Sequence, residues 1–299
     1  MTGFRFSRSV DPSVENWKST IVKSIEGSVG GAVAGYLMRR TRNVVSGIGD
    51  KVTLPNNDLG LAKEINEKGY AVIPGYWSAE ECGLARNEMD RLLHEFPQFI
   101  RSDNVDSDHR LFGANVNSKI LDRFYRDSRL EGFAKYYMGN KTTNAFTLGA
   151  RMDFETGNPG SGGGWHRDSY LDQFKSIMYL SDCTAVNGPF EYLEGSHRPR
   201  EIINGLISLG RKKLYPRFTS IEIDELVKLR GYKWKTFTGE PGTLILVNTA
   251  GIHRGKPIES GSRYALTNYF MTLEAHQDPR SFDLFRPVMG IDNPPKKQA

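Results

Sequence analysis

Residues 145–168, AFTLGARMDFETGNPGSGGGWHRD, decide the fold class. Phe146 to Phe154 is rich in side chains that favour extended backbone and runs into a Gly- and Pro-rich turn, which predicts a strand. Four more runs of this kind follow: Ser176 to Leu180, Pro189 to Leu193, Thr243 to Asn248 and Tyr264 to Leu273. Many short strands in one region imply a sandwich or barrel. The expected fold is therefore mainly β with flanking helices.

Upstream of residue 145 the pattern is helical. Val14, Trp17, Ile21, Ile25 and Val29 recur at three- and four-residue steps, predicting a helix within 12–44 with a stripe to bury. Gly30, Gly31 and Gly35 weaken its middle. Gly47 to Asp58, with Pro55-Asn56-Asn57, reads as a linker. Next come a short helix around Leu61 to Lys68 and a strand in Gly69-Tyr70-Ala71-Val72-Ile73-Pro74-Gly75. Ser78 with Glu81 forms a capping box that opens a helix through about Glu95. The chain thus divides into a helical extension and linker (1–58), a β domain (59–275) and a C-terminal tail (276–299). Residues 198–235 read as an insertion between strands, with a helix near Ile221 to Arg230.

The chain has 299 residues, 38% hydrophobic and 11% aromatic, enough for one large core and unlike a disordered composition. Cys82 and Cys183 are too few for a disulfide framework, so a reducing compartment is expected. Met1 to Arg5 leads into no apolar signal core, and Ser28 to Met38 is shorter than a membrane span. The expected location is cytoplasmic. Net charge is +5, unevenly spread: residues 1–51 hold eight basic against four acidic groups, and residues 198–235 hold ten against four. Such patches attract phosphates, nucleic acids or anionic head groups, or simply keep a surface solvated. No nucleic-acid motif accompanies them, so no nucleic-acid partner is expected. Residues 1–50 are candidates for a peripheral membrane or protein contact.

His166 and Asp168 stand two apart, and on a strand i and i+2 face one side. His253, just after the strand Thr243 to Asn248, offers a third ligand. Two imidazoles and a carboxylate leave three coordination positions open, the ligand set of non-heme iron(II) oxygenases. An isolated H-x-D is more often a surface His beside an Asp. Arg263, ten residues past His253, suits bidentate binding of a carboxylate in the same cavity, or else a rim salt bridge. Asn187-Gly188-Pro189 and Gly195-Ser196-His197 are tight-turn sequences around a short strand, and His197 reads as structural. Gly157 to Gly164 lacks the Gly-Lys-Ser/Thr ending of a phosphate loop and reads as a mobile loop beside the metal.

Taken in order, the segment Gly69 to Gly75, the Ser78-to-Cys82 helix start, His166-x-Asp168, Asn187-Gly188-Pro189, Gly195-Ser196-His197, Gly242, His253 and Arg263 resemble the phytanoyl-CoA dioxygenase family of 2-oxoglutarate oxygenases. The resemblance covers roughly residues 59–275. It implies a double-stranded β-helix, a cupin-like jelly roll. It also implies iron(II) on His166, Asp168 and His253, 2-oxoglutarate anchored by Arg263 beside Tyr179, and O2 as oxidant. An Asp at 168, where Gly or Ala would open a halide site, favours hydroxylation. Residues 1–50 and the basic insertion lie outside the shared pattern, so the substrate does not carry over. From the charge of 198–235, with Arg211, Lys212, Lys213 and Arg217 close together, a small or carrier-linked anion is expected. Two other readings stay open: a catalytically inactive jelly-roll binding module, and a cupin using zinc or manganese, for which Arg263 would have no purpose.

Overall fold

In β10 (Ser262–Thr272) side chains alternate between two environments, and this alternation organises the molecule. Leu266 and Phe270 point into the core beneath the helices, whereas Arg263, Ala265, Thr267, Tyr269 and Met271 line a cavity. The computed structural model describes residues 28–46, 52–278, 283 and 285–290. Their elements are α1 (Val29–Ser46), α2 (Leu59–Lys68), β1 (Tyr70–Ile73), α3 (Ala79–Glu95), β2 (Ile100–Arg101) and β3 (Asp108–Phe112). Then follow α4 (Lys119–Tyr125), α5 (Ser128–Met138), β4 (Thr142–Asp153), β5 (Phe174–Tyr179), β6 (Phe190–Leu193), α6 (Pro199–Ser208) and α7 (Ser220–Arg230). The chain continues through β7 (Trp234–Phe237), β8 (Leu244–Asn248) and β9 (His253–Gly255) to β10 and α8 (Leu273–Gln277).

The strands form two antiparallel sheets, β1-β8-β5-β10-β4-β3-β2 and β7-β6-β9. Tyr70 of the large sheet meets Phe237 of the small one edge-on at 4.6 Å, within a cluster that joins the two inner faces. The jelly-roll expectation is met, and all five strands anticipated from residue 145 onward are present. Patterning missed the short strands β2, β7 and β9, and also β3, where Asp108-His109-Arg110 breaks the apolar alternation although Arg110 faces the cavity.

Helices cover the outer face of the large sheet through one cluster that includes Ile65, Met89, Leu92, Phe124, Phe133, Phe174, Leu246 and Phe270. Gly149 of β4 permits close contact with α3, because a Cβ there would lie 2.2 Å from the Met89 sulfur. The capping box opens α3: Ser78 Oγ accepts from Glu81 N at 3.1 Å and Glu81 Oε2 accepts from Ser78 N at 2.8 Å. None of the helices in the described residues is long and apolar enough to cross a membrane.

Three peripheral segments shape the site. The insertion contributes α6, α7 and an extended piece, Pro216–Phe218, that runs beside Trp165–Arg167. Part of the expected tail returns: Met289 N donates to Phe112 O at 2.8 Å, and Phe285 meets Phe146 at 5.3 Å in the cavity wall. Of the expected N-terminal helix, α1 is observed, while Val14, Trp17, Ile21 and Ile25 lie outside the described residues. Helix α1 docks on this domain. Its Tyr36 is fully buried with Tyr170, Ile202 and Leu206, and Arg40 Nη1 lies 3.6 Å from Asp172 Oδ2. Truncating a buried aromatic in such a cluster typically costs about 3–5 kcal/mol. Tyr36→Ala is therefore expected to lower the urea midpoint of the full chain, and an unchanged midpoint would mean that the docked helix adds no stability.

Candidate metal centre

His166 and His253 are direct cross-strand partners: His166 N donates to His253 O and His253 N to His166 O, each at 2.9 Å. Partners that exchange both bonds project their side chains to the same face. The predicted strand at Trp165–Asp168 is thus a single bridge at His166. Asp168 is fixed separately, with its N–H on Thr249 O at 3.0 Å.

The ligand atoms of His166, Asp168 and His253 all lie within 4.8 Å of one another. Asp168 Oδ1 is 3.6 Å from His166 Nε2, and Oδ2 is 3.8 Å from His253 Nε2. His166 Nδ1 donates to Gly164 O at 2.8 Å, and His253 Nδ1 donates to Gly251 O at 2.9 Å. These bonds fix the tautomer and leave both Nε2 lone pairs facing the carboxylate, as a metal requires. Burial, reinforced by the neighbouring His166, holds the His253 pKa down at about 3, so it is neutral and able to ligate. Burial alone would raise the Asp168 pKa, but Lys175 and the two histidines hold it well below the ordinary carboxylate range. Lys175 Nζ lies 2.7 Å from Asp168 Oδ2.

Lys175 was not anticipated. The signal was its place two residues before Ile177 and four before Tyr179, in the inward-facing register of β5.

The turn sequences act as supports. Ser196 Oγ accepts from Ile252 N at 2.8 Å, and Leu193 N donates to Ile252 O at 2.9 Å, which holds the residue before His253. Buried Arg167 donates through Nη1 to Ser196 O at 2.8 Å and to Ala250 O. His197 is structural as expected: Nε2 donates to Asn66 O at 3.2 Å. The glycine loop lies beside the metal centre, and it is pinned: Ser161 O accepts from Gly255 N at 2.9 Å, and Arg217 Nη1 donates to Gly162 O at 2.8 Å and Gly163 O at 3.0 Å. Gly162 has φ +86°, and a Cβ there would lie 2.6 Å from His166 Cε1.

A cavity of about 950 Å³ opens over the triad, with Arg263 and Tyr179 in its wall. Arg263 is 5% exposed; Nη1 donates to Gly188 O of the Asn-Gly-Pro turn, and Nη2 contacts the Met152 sulfur at 3.0 Å. Its Nε has no partner, and no carboxylate of the described residues is within ion-pair distance. A buried guanidinium without a counter-ion fits an incoming carboxylate and is no rim salt bridge. Tyr179 uses its hydroxyl structurally, donating to Phe237 O at 3.0 Å and accepting from Phe190 N at 3.0 Å. The four basic residues singled out in the insertion separate. Arg217 lines the cavity, but Arg211 is tied to Glu222 at 2.6 Å and to the carbonyls of Tyr215 and Arg217, and Lys212 and Lys213 are exposed outside the wall. Within the insertion, Arg211 and Arg230 are taken by its own carboxylates Glu222 and Glu201.

An antiparallel jelly roll with two histidines and one carboxylate gathered in its cavity wall matches the ligand set of mononuclear non-heme iron oxygenases. The chain belongs to the phytanoyl-CoA dioxygenase (PhyH) family, which it matches over residues 65–265. It is 24% identical over 153 residues to ectoine dioxygenase of Stutzerimonas stutzeri (strain A1501), covering 46% of this chain and about half the length of that relative, 50%. In fold it is similar to the epimerase SnoN from nogalamycin biosynthesis, solved with Fe3+, alpha ketoglutarate and nogalamycin RO. The TM-score is 0.59 at 15% identity, over 80% of this chain and 93% of that one. EctD from S. alaskensis, solved with 2-oxoglutarate and 5-hydroxyectoine, gives 0.55 at 20% identity, over 76% and 82%.

Gly162→Ala is expected to displace the His166 ring and weaken Mn(II) binding, read by electron paramagnetic resonance, by roughly ten- to a hundredfold, the range typical of disturbed ligand supports. The fold, read by circular dichroism, should persist. Wild-type affinity in the variant would show that the loop does not set the ring.

Proposed function

We propose that the protein is an iron(II)- and 2-oxoglutarate-dependent dioxygenase that hydroxylates a C–H bond of a small organic anion, free or carrier-linked. The observation that carries this reading is the pairing of the triad with Arg263: a ligand set with open positions shares one cavity with a buried, uncompensated guanidinium. Zinc or manganese hydrolysis would leave Arg263 without a purpose, and an inactive binding module would have no need of both histidine tautomers held toward one point. Family membership and the likeness to ectoine dioxygenase point the same way.

In this reading His166, Asp168 and His253 hold iron. Arg263 receives the distal carboxylate of 2-oxoglutarate, and the Tyr179 ring packs alongside. Bound iron supplies oxygen activation, coupling loss of CO2 from 2-oxoglutarate to insertion of one oxygen atom into the substrate, with succinate as co-product. The chain's own residues orient and shield. Gly164 and Gly251 carbonyls aim the imidazoles, Lys175 holds the carboxylate ionised, and Phe112, Phe190 and Leu148 wall the cavity with apolar surface. Two buried, free thiols, Cys82 and Cys183, fit a reducing, cytoplasmic setting.

The first test is succinate formation that requires added iron(II) and 2-oxoglutarate. His166→Ala, Asp168→Ala and His253→Ala should each abolish it, and full turnover in any one at saturating iron would remove that residue from the ligand set. Arg263→Ala should raise the 2-oxoglutarate requirement by roughly thirty- to a hundred-and-fiftyfold, as loss of a shielded charge-assisted pair of about 2–3 kcal/mol implies. An unchanged requirement would leave Arg263 a purely structural arginine.

A further inference from the structure

The proposed co-substrates leave one positive charge in the site unmatched. Lys175 is 7% exposed, with Nζ 2.7 Å from Asp168 Oδ2 and 3.9 Å from the centre of the Tyr269 ring. On the oxygenase reading, on which this inference rests, Asp168 contributes one negative charge, Lys175 and Arg263 one positive charge each, and the two histidines none. Iron(II) and 2-oxoglutarate then cancel each other. Of the other cations in the wall, Arg110 is already paired with Asp108, and Arg167 is turned onto the carbonyls of Ser196 and Ala250. Apart from the carbonyl-bound Arg167, one positive charge therefore remains in a buried place, where an unmatched charge is costly.

Strand register locates the surplus. Across β5 and β10, Tyr179 faces Ala265 and Lys175 faces Tyr269. Arg263 and Tyr269 therefore stand at opposite ends of one inward row, roughly 20 Å apart along an extended strand. 2-Oxoglutarate stretched from Arg263 to the metal neutralises the first end, whereas Lys175 is left sharing Asp168 with the metal and facing the second end. The second end is lined by Phe112, Tyr269, Met271 and Phe285, a largely aromatic wall. Arg217 at the rim adds charge of the same sign, while Asp103, also in the wall, is turned into its own loop, accepting from Ser107 N at 2.7 Å and Ser107 Oγ at 2.6 Å. At about 950 Å³ the cavity has room for a molecule much larger than 2-oxoglutarate.

We infer that the Lys175–Tyr269 end of the cavity is a substrate carboxylate subsite, and that the substrate is a carboxylic acid with a flat apolar body. The acid group bonds to the Lys175 ammonium. The body rests on Phe112, Tyr269 and Phe285.

The test is titration calorimetry without oxygen, on the full chain loaded with Mn(II) and saturating 2-oxoglutarate. The probes are 2-naphthoate and 3-phenylpropionate against their primary amides. Each acid is expected to bind at least tenfold more tightly than its amide. That ratio, read within each protein, should collapse in Lys175→Met and largely return in Lys175→Arg. Equal binding of acid and amide by the wild type, no binding of either acid, or a preserved ratio in Lys175→Met overturns the inference. A crystal structure of the wild-type Mn(II), 2-oxoglutarate and naphthoate complex reads the same contact without a variant. A carboxylate within hydrogen-bond reach of Lys175 Nζ supports the subsite, and one bound elsewhere overturns it. Wild-type protein that takes up neither Mn(II) nor 2-oxoglutarate before any acid is added would instead count against the oxygenase reading.

Discussion

The mutual pair of backbone hydrogen bonds between His166 and His253, 2.9 Å each, is the constraint on which the site depends. It joins segments 87 residues apart in sequence and makes the relative position of two imidazoles a property of sheet geometry rather than of loop conformation. Asp168 follows from it. Two residues beyond the bridge, with its own N–H held by Thr249 O, it faces the two rings and Lys175. Backbone carbonyls at Gly164 and Gly251, each two residues before its histidine, then set the tautomers. A metal centre whose ligands are fixed by main-chain atoms needs few side chains for support, and the surrounding wall is left free to serve a substrate.

That economy explains where glycine and tight turns are placed. The loop from Gly157 to Gly164 must pass over the His166 ring, and only a residue without Cβ fits at 162. Gly195-Ser196-His197 is bonded on three sides: to Ile252, to Arg167 and, through His197, to Asn66. The insertion participates as well. Its Pro216–Phe218 piece pairs with Trp165–Arg167 and places Arg217 over the glycine loop, so what looks like an addition to the domain closes the outer edge of the small sheet beside a ligand.

The longer strands of the β domain, the His166–Asp168 pair and the start of α3 were legible because each depends on local spacing: two-residue alternation in β10, i and i+2 at His166 and Asp168, a capping box at Ser78 and Glu81. The features that sequence concealed depend on pairings between distant segments. Lys175 looks like an ordinary charged strand residue until the register of β5 turns it inward against Asp168. Arg211 and Arg217 look equivalent in a basic cluster, yet Glu222 of the next helix takes one and the glycine loop takes the other. The same limit applied to the two ends of the chain. Tyr36 of α1 is buried by Tyr170 and Leu206, and Phe285 reaches the cavity wall, so segments that read as an extension and a tail are partly built into the domain.

The fold by itself leaves the reaction's outcome open, since an epimerase and a structure holding 5-hydroxyectoine both share it with this chain at 20% identity or less. Discrimination has to come from the half of the cavity that the His166–Asp168–His253 cluster and Arg263 do not use. In that half the aromatic residues come from three separate segments: Phe112 from β3, Tyr269 from β10 and Phe285 from the returning C-terminal residues. Such a wall can change with single substitutions on surface-proximal segments while the His166–His253 bridge stays intact. Lys175 is different, because it touches both halves: it bonds Asp168 of the candidate metal centre and faces the aromatic end. A charge in that position couples the two, since whatever fills the aromatic end alters the electrostatic field at Asp168, and whatever binds at Asp168 alters what the aromatic end will accept.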